Sequence, residues 1–231
     1  MKDFKKFEKI INIKFKNKDI LKQAFIHRSY LNENPSKEIG HNERLEFLGD
    51  AVLELATTDY LYKKFPDKTE GDMTGFRAAL VNAIILSDVA NEIGMGDFLL
   101  LSKGETKDQG KARQFILANT FEALIGAIYL DASFGQASSF LEKFLFPRLK
   151  KIIDEKLWID AKSLFQEKAQ DALSITPIYK LVREWGPDHA KTFVVGVYLN
   201  NGIIAEGSGF SKQEAEQHAA REGLKAKHWV D

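Results

Sequence analysis

His41-Asn-Glu-Arg-Leu-Glu-Phe-Leu-Gly-Asp-Ala-Val-Leu-Glu-Leu55 (HNERLEFLGDAVLEL) decides the reading of the chain. Apolar residues recur at helical spacing through Leu45, Leu48, Val52 and Leu55, so the stretch is predicted to be an amphipathic helix. Its carboxylates do not fit a purely structural helix. Glu43, Glu46 and Asp50 stand at i, i+3 and i+7, which at 100° per residue places them within about 60° of one another on one face. Three like charges on one stripe repel, and no lysine is interleaved to relieve them. A solvated acidic face accounts for most such patterns. The alternative is a divalent-cation site, because hard cations take oxygen ligands and cancel the repulsion.

A second segment bears on that choice. FILANTFEALIGAIYL, residues 115–130, is nearly apolar throughout and contains one ionisable residue, Glu122. A helix apolar on every side is buried, and a lone buried carboxylate is costly unless something pairs with it. Two partners are open: an arginine such as Arg44, Arg77 or Arg113, or a cation shared with the acidic stripe. The stripe makes the shared cation the better account. Asn119 lies three residues before Glu122 on the same face, and its amide oxygen is also a hard ligand.

Around these segments, the residues up to about 150 keep three- and four-residue apolar spacing, as in Ala79, Leu80, Ala83 and Ile84, with turn signals at Asn34-Pro35, Pro66-Asp67 and Gly94 to Gly96. An all-helical domain over 1–150 is expected. A charged connector follows, with 151–157 taken as linker, and the texture then changes. AKSLFQEKAQDAL (161–173) reads as a helix capped by Asp160. Three β-type runs come next, ITPIYKLVREWG (175–186), KTFVVGVYLNN (191–201) and GIIAEGSGF (202–210), the last two joined at Asn201-Gly202. SKQEAEQHAAREGLKAK (211–227) opens with Ser211 and Glu214 in capping-box spacing. The order α-β-β-β-α over 158–229 predicts a small α+β domain.

Composition limits the chemistry. The 231 residues include no cysteine, which excludes disulfides, a thiolate zinc site and a cysteine nucleophile. The 44% apolar content and 17 Phe describe a folded protein. The first residues, MKDFKKFEKIINIKF, mix charged and apolar side chains, and no run approaches the roughly 18 apolar residues of a membrane span. A cytoplasmic protein with no membrane partner is therefore expected. Lys plus Arg and Asp plus Glu number 33 each, so no overall field attracts nucleic acid, and any such partner must be held by local charge placement.

NERLEFLGD (42–50) resembles the signature of the ribonuclease III family, and ILANTFEALIGAIYLD (116–131) that family's second acidic motif. EGDMTGFRAALVN (70–82) is similar to its connecting helix, LLLSKGE (99–105) to the loop before the second motif, and residues 158–229 to a double-stranded-RNA-binding domain. The resemblance covers nearly the whole chain. It implies an all-α nuclease domain followed by an α+β RNA-binding domain, in a homodimeric endoribonuclease that cuts double-stranded RNA during rRNA and mRNA precursor processing. Magnesium, with manganese as a substitute, would be the cofactor, and the products would carry 5′-phosphate and 3′-hydroxyl ends.

Carried over by position, Glu46, Asp50 and Glu122 match metal-binding acids, with Asp50 and Glu122 catalytic. Asn119 matches a metal-site aspartate. Glu43 and Glu70 match auxiliary acids, and Phe47 an aromatic that packs across the dimer interface, its other reading being an ordinary core phenylalanine. In the second domain Ser163, Gln166, Glu167 and Gln170 match the helix that meets 2′-hydroxyls, His189 the loop that enters a second minor groove, and Ser211 and Lys212 the phosphate-binding helix start. Lys103 and Lys111 are either phosphate contacts or solvated loop lysines. Asn119 departs from the family pattern: an amide keeps a ligand oxygen but lacks the charge of the aspartate. The resemblance thus leaves two outcomes, a nuclease that cleaves and a duplex-RNA-binding protein that cleaves slowly or not at all.

Overall fold

The computed structural model describes residues 2–34, 39–107, 110–186 and 191–229. His189, expected to enter a minor groove, lies outside the described residues. The chain divides into two compact units, Met1–Trp158 and Ile159–Asp231.

The first unit is helical. Its elements are α1 (Phe4–Ile11), α2 (Lys18–Ala24), α3 (Arg28–Glu33), α4 (Glu43–Lys64), α5 (Glu70–Leu80), α6 (Ala83–Glu92), α7 (Lys111–Asp131), α8 (Phe134–Phe144) and α9 (Leu149–Asp154). α7 is the predicted apolar helix and runs through the centre, with Ile116, Leu117, Phe121, Leu124, Ile125 and Ile128 all buried. α4 turns Leu45, Val52, Leu53, Ala56 and Leu61 toward the core. Among the described residues no single helix is long and apolar enough to cross a membrane.

The contact between α4 and α7 is made by backbone. A Cβ placed on Gly49 would stand 1.8 Å from the carbonyl oxygen of Glu122, and one on Gly126 would stand 2.3 Å from the carbonyl oxygen of Leu45. Both glycines are therefore required by space, since any side chain would force the helices apart.

The connector expected over 151–157 is instead part of this unit. Leu149 and Ile152 are buried in the helical core, and the Trp158 ring meets Phe76 edge to face at 4.8 Å. Lys150, Lys151, Asp154, Glu155 and Lys156 are the solvent side of a short amphipathic helix and its exit turn. Their charge disguises the apolar residues at i, i+3 and i+4 that anchor it. The second unit accordingly starts at Ile159, one residue later than the expected 158.

That unit follows the predicted order: α10 (Ala161–Leu173), β1 (Ile178–Trp185), β2 (Thr192–Leu199), β3 (Gly202–Gly209) and α11 (Lys212–Ala226). The strands form an antiparallel sheet in the order β1-β2-β3. Phe165 and Ala169 of α10, Val197 and Leu199 of β2, and Ala219, Ala220 and Leu224 of α11 make its core. Asp160 caps α10, accepting from the backbone N–H of Lys162 and Ser163 at 3.1 and 3.2 Å.

Two local readings change. Leu199 pairs with Gly202, so the hairpin loop is Asn200-Asn201 rather than Asn201-Gly202. Asn200 takes the left-handed conformation at φ 54°, which asparagine tolerates better than most residues. Ser211 accepts from Glu214 N–H at 3.1 Å as the capping box requires, but the Glu214 carboxylate receives the N–H of Phe210 at 2.8 Å.

The helix contact predicts a sharp contrast between glycines. Gly49→Ala should destabilise the first unit by about 3 kcal/mol, the upper range for overpacking, because its methyl meets backbone. Gly40→Ala, where the nearest atom is 3.7 Å away, should leave stability nearly unchanged. Urea unfolding of both variants measures the difference, and equal midpoints would refute the contact.

Candidate functional site

The four residues singled out on the two central helices come together. Glu46 and Asp50 flank Gly49 on α4, and Gly49 meets the backbone of Glu122 on α7. The helices therefore meet by backbone one residue before Asp50 and three after Glu46. Asn119, one turn before Glu122, has its amide close enough to Glu46 to favour the charged form of that carboxyl.

Their electrostatics record the crowding. Burial pushes the Glu122 carboxyl up to about 7, and the charges of Asp50, Glu46 and Glu54 add to the rise. Glu46 is also raised, first by burial and then by Glu43 and Asp50, while the Asn119 amide opposes the rise. Among the described residues Glu46, Asp50 and Glu122 form no ion pair. Two of the arginines that would have supplied one are engaged elsewhere. Arg77 binds Glu54 at 3.0 Å and donates to Thr58 Oγ1 at 2.7 Å, and Arg113 donates to the Gly96 carbonyl at 3.1 Å. The third, Arg44, lines a cleft beside Phe47.

Glu54 was missed by the sequence reading. It lies one turn beyond Asp50 at i+4, on the same acidic stripe, and that spacing was the available signal. The two auxiliary acids stand apart from the cluster in different degrees. Glu43 faces Arg28 and His41 at 3.8 and 3.7 Å, although its charge is felt by Glu46. Glu70 opens α5 and accepts from Thr74 Oγ1 at 2.9 Å; it contributes to the shift of neither Glu46 nor Glu122.

The fit to a metal has two sides. As the side chains are placed, no group of three or more His, Asp or Glu among the described residues could hold an ion. The donor chemistry nevertheless suits a hard cation: carboxylate and amide oxygens only, no paired lysine or arginine, and negative charge in excess. The residues fit divalent magnesium or manganese by type and charge.

Phe47 is no core residue. It is 83% exposed and borders a cleft of about 680 Å³ lined by Ile20, His41, Arg44, Leu48 and Leu130. Leu55 and Tyr62, also exposed, continue its stripe along α4 beside the acidic one. Lys103 is exposed in the loop before α7, its backbone N–H held by Glu33 at 3.2 Å, and Lys111 is the first residue of α7.

In the second unit Ser163, Gln166, Glu167 and Gln170 are all exposed, on the side of α10 opposite buried Phe165 and Ala169. Ser211 caps α11 and Lys212 begins it, exposed. Glu216, one turn on, is neutralised by Lys162, which also stands 5.0 Å over the Tyr179 ring.

Comparison with known proteins agrees with this architecture. The Ribonuclease-III-like family matches residues 17–149, and the double-stranded RNA binding motif matches residues 161–226. Ribonuclease 3 of Borreliella burgdorferi is 43% identical over 221 residues, covering 96% of this chain and 90% of the relative. Ribonuclease 3 of Carboxydothermus hydrogenoformans is 46% identical over 217 residues, covering 94% and 92%. Among solved structures, the nuclease domain of ribonuclease III from Campylobacter jejuni, described as flexible in a region involved in dimer formation, is 40% identical with a TM-score of 0.57. It covers 63% of this chain and 97% of its own. With a helical nuclease unit, a double-stranded-RNA-binding unit behind it and relatives that match nearly end to end, the chain belongs to the ribonuclease III family of endoribonucleases.

Proposed function

We propose that this endoribonuclease is magnesium-dependent and cleaves double-stranded RNA as a cytoplasmic homodimer, acting on rRNA and mRNA precursors. The observation that carries the reading is the set of unpaired carboxylates, Glu46, Asp50 and Glu122, gathered around the contact of Gly49 with the Glu122 backbone. Glu46, Asp50, Asn119 and Glu122 would hold the ion, with Asp50 and Glu122 nearest the chemistry. Glu43 and Glu70 would be auxiliary acids. Magnesium, when bound, supplies water activation and stabilises the charge that gathers on the phosphorane-like transition state and the leaving oxygen.

The reaction is hydrolysis of one phosphodiester. A water oxygen joins phosphorus, the bond from phosphorus to the 3′ oxygen breaks, and that oxygen leaves as a hydroxyl, giving 5′-phosphate and 3′-hydroxyl ends. The second unit supplies the grip. A-form RNA shows its 2′-hydroxyls in a wide, shallow minor groove, which suits the uncharged groups of Ser163, Gln166 and Gln170, with Glu167 among them, and His189 would enter a second minor groove. Ser211 and Lys212 offer a helix N-terminus and a cation to phosphate. The exposed Phe47 and its cleft support pairing of two copies, since a large apolar side chain left 83% exposed next to a hollow calls for a partner.

Asn119 supports a second reading, a chain that binds duplex RNA without efficient cutting. Single-turnover cleavage of a perfect duplex, with magnesium and with EDTA, separates the two. The native chain should cut with magnesium alone, and Asn119→Asp should cut about tenfold faster, the scale of one ligand-shell change. Binding without cutting, restored by the aspartate, would establish the second reading instead.

Glu122→Gln should lower cleavage about 100-fold or more, as loss of an electrostatic group at a reacting centre does, while RNA affinity stays unchanged. The same variant has a pH signature in EDTA. Glu122 is raised from 4.5 to about 7 on folding, so the folded state holds its proton longer than the unfolded one. Stability therefore falls as pH rises from 4.5 to 7. Glutamine removes that loss. The variant should match the native chain near pH 4 and exceed it at pH 8 by on the order of 1 kcal/mol, after discounting for solvent screening. Thermal melting across this range measures it, and a constant difference would refute the assignment.

Phe47→Glu should convert the dimer to monomer in sedimentation velocity, by placing a charge in the proposed interface. A variant that remains dimeric would move the interface elsewhere.

A further inference from the structure

The second unit carries two large, exposed aromatic side chains at one end of its sheet. Trp185 is 51% exposed and Phe210 60% exposed. Their placement follows from register. Tyr179 pairs with Val197, a core residue, so the helix-facing side of β1 is set there. Alternation alone would carry Trp185 to that same side. A bulge between Leu181 and Arg183 shifts the register by one, and Trp185 pairs with Thr192 instead. Thr192 shares its side of β2 with Val194 and Gly196, opposite Val195 and Val197, so the bulge re-aims Trp185 to the outer face.

On the other edge, a Cβ on Gly207 or Gly209 would strike the backbone of α11. Those positions face the helices, and the next residue, Phe210, leaves the strand with its ring exposed. Trp185 pairs with Thr192, and the next residue of β2, Phe193, pairs with Gly209, the last residue of β3. Phe210 follows directly, so both aromatics stand at the same end of the sheet. The Arg183 guanidinium lies 5.9 Å over the Trp185 ring, and the Glu214 carboxylate fixes the backbone of Phe210.

We propose that Trp185 and Phe210 form a binding site for an unpaired nucleobase next to the duplex that this unit grips. The occupant follows from continuity. Phe210 directly precedes Ser211 and Lys212, and Trp185 stands four residues before His189 in the sequence, so the aromatics border two of the three regions assigned to RNA. A perfect duplex keeps its bases stacked inside and gives these rings nothing to cover. A bulged, looped or terminal base has a free face, and aromatic side chains on RNA-binding sheets take such faces without regard to sequence. The site would steer the enzyme toward duplexes flanked by an unpaired nucleotide. This inference rests on duplex binding by the same unit.

The test uses the full chain in EDTA, so that RNA is bound and not cut. Affinity is measured for a perfect duplex and for the same duplex with one bulged 2-aminopurine, whose fluorescence also reports stacking. The native chain should bind the bulged RNA about tenfold more tightly, within the range for one base on aromatic side chains, and quench the fluorophore. Trp185→Ala with Phe210→Ala should erase the preference and the quenching while perfect-duplex affinity stays the same, and Trp185→Phe with Phe210→Tyr should retain both. Equal affinity of the native chain for the two RNAs overturns the proposal, as does a preference that survives the alanine pair. An equal loss on both RNAs also overturns it, because the rings then serve the duplex grip or the fold. Failure to bind either RNA would refute duplex binding itself.

Discussion

The approach of α4 and α7 to backbone contact at Gly49 and Gly126 is the constraint on which the nuclease unit depends. Helices separated by ordinary side chains would set the acids of α4 and α7 several ångströms farther apart. With no Cβ at either glycine, the carbonyl of Glu122 sits where a side chain would otherwise be. Glu46 and Asp50, one turn apart on either side of Gly49, then share their surroundings with Glu122. The apolar length of α7 serves the same end, because a helix buried on every side cannot drift relative to the helix it touches. Packing and chemistry are thus not separate features here.

The arrangement carries an electrostatic cost. Burial alone disfavours charge on Glu122, and three neighbouring carboxylates raise its affinity for a proton further. A fold selected for stability alone would have put an arginine there. Arg77 is close enough to reach α4 yet pairs with Glu54, which leaves the cluster without a resident cation. Asn119 moderates the cost. An aspartate in its place would add another negative charge beside Glu46, whereas the amide favours the charged form of that carboxyl. Within the proposed site this exchanges some attraction for a cation against better order in the carboxylates.

Much of this was legible in the residues themselves. The stripe of Glu43, Glu46 and Asp50 and the lone Glu122 in an apolar helix pointed to a shared site before any contact was seen, because a buried charge demands a partner. The α-β-β-β-α order was equally open to reading from periodicity. What stayed hidden depends on three dimensions. Residues 151–157 look like a linker because charge outnumbers the apolar residues of α9, and only the core shows Ile152 and Trp158 anchored. That Arg77 belongs to Glu54 is decided by where α5 lies on α4. Phe47 reads equally well as core or surface until the unit's packing leaves it outside. The side that Trp185 faces is set by a single bulged residue, and one residue of register is below the resolution of pattern reading.

The balanced charge of the chain also acquires a physical meaning. In the second unit the start of α11 bears Lys212 but then Gln213, Glu214 and Glu216, and Glu216 takes up Lys162. Lys162 is thereby committed to a carboxylate, and a chain with 33 basic and 33 acidic residues offers RNA no long-range attraction. In the proposed reading, recognition depends on short-range contacts that require fit: uncharged groups along one side of α10, an open helix N-terminus, and exposed rings at the sheet's end. Such contacts are insensitive to salt and demanding of shape. A unit that binds in this way would gain selectivity among RNA structures by giving up affinity for RNA in general, and the extra term supplied by an unpaired base would weigh most where the phosphate term is small.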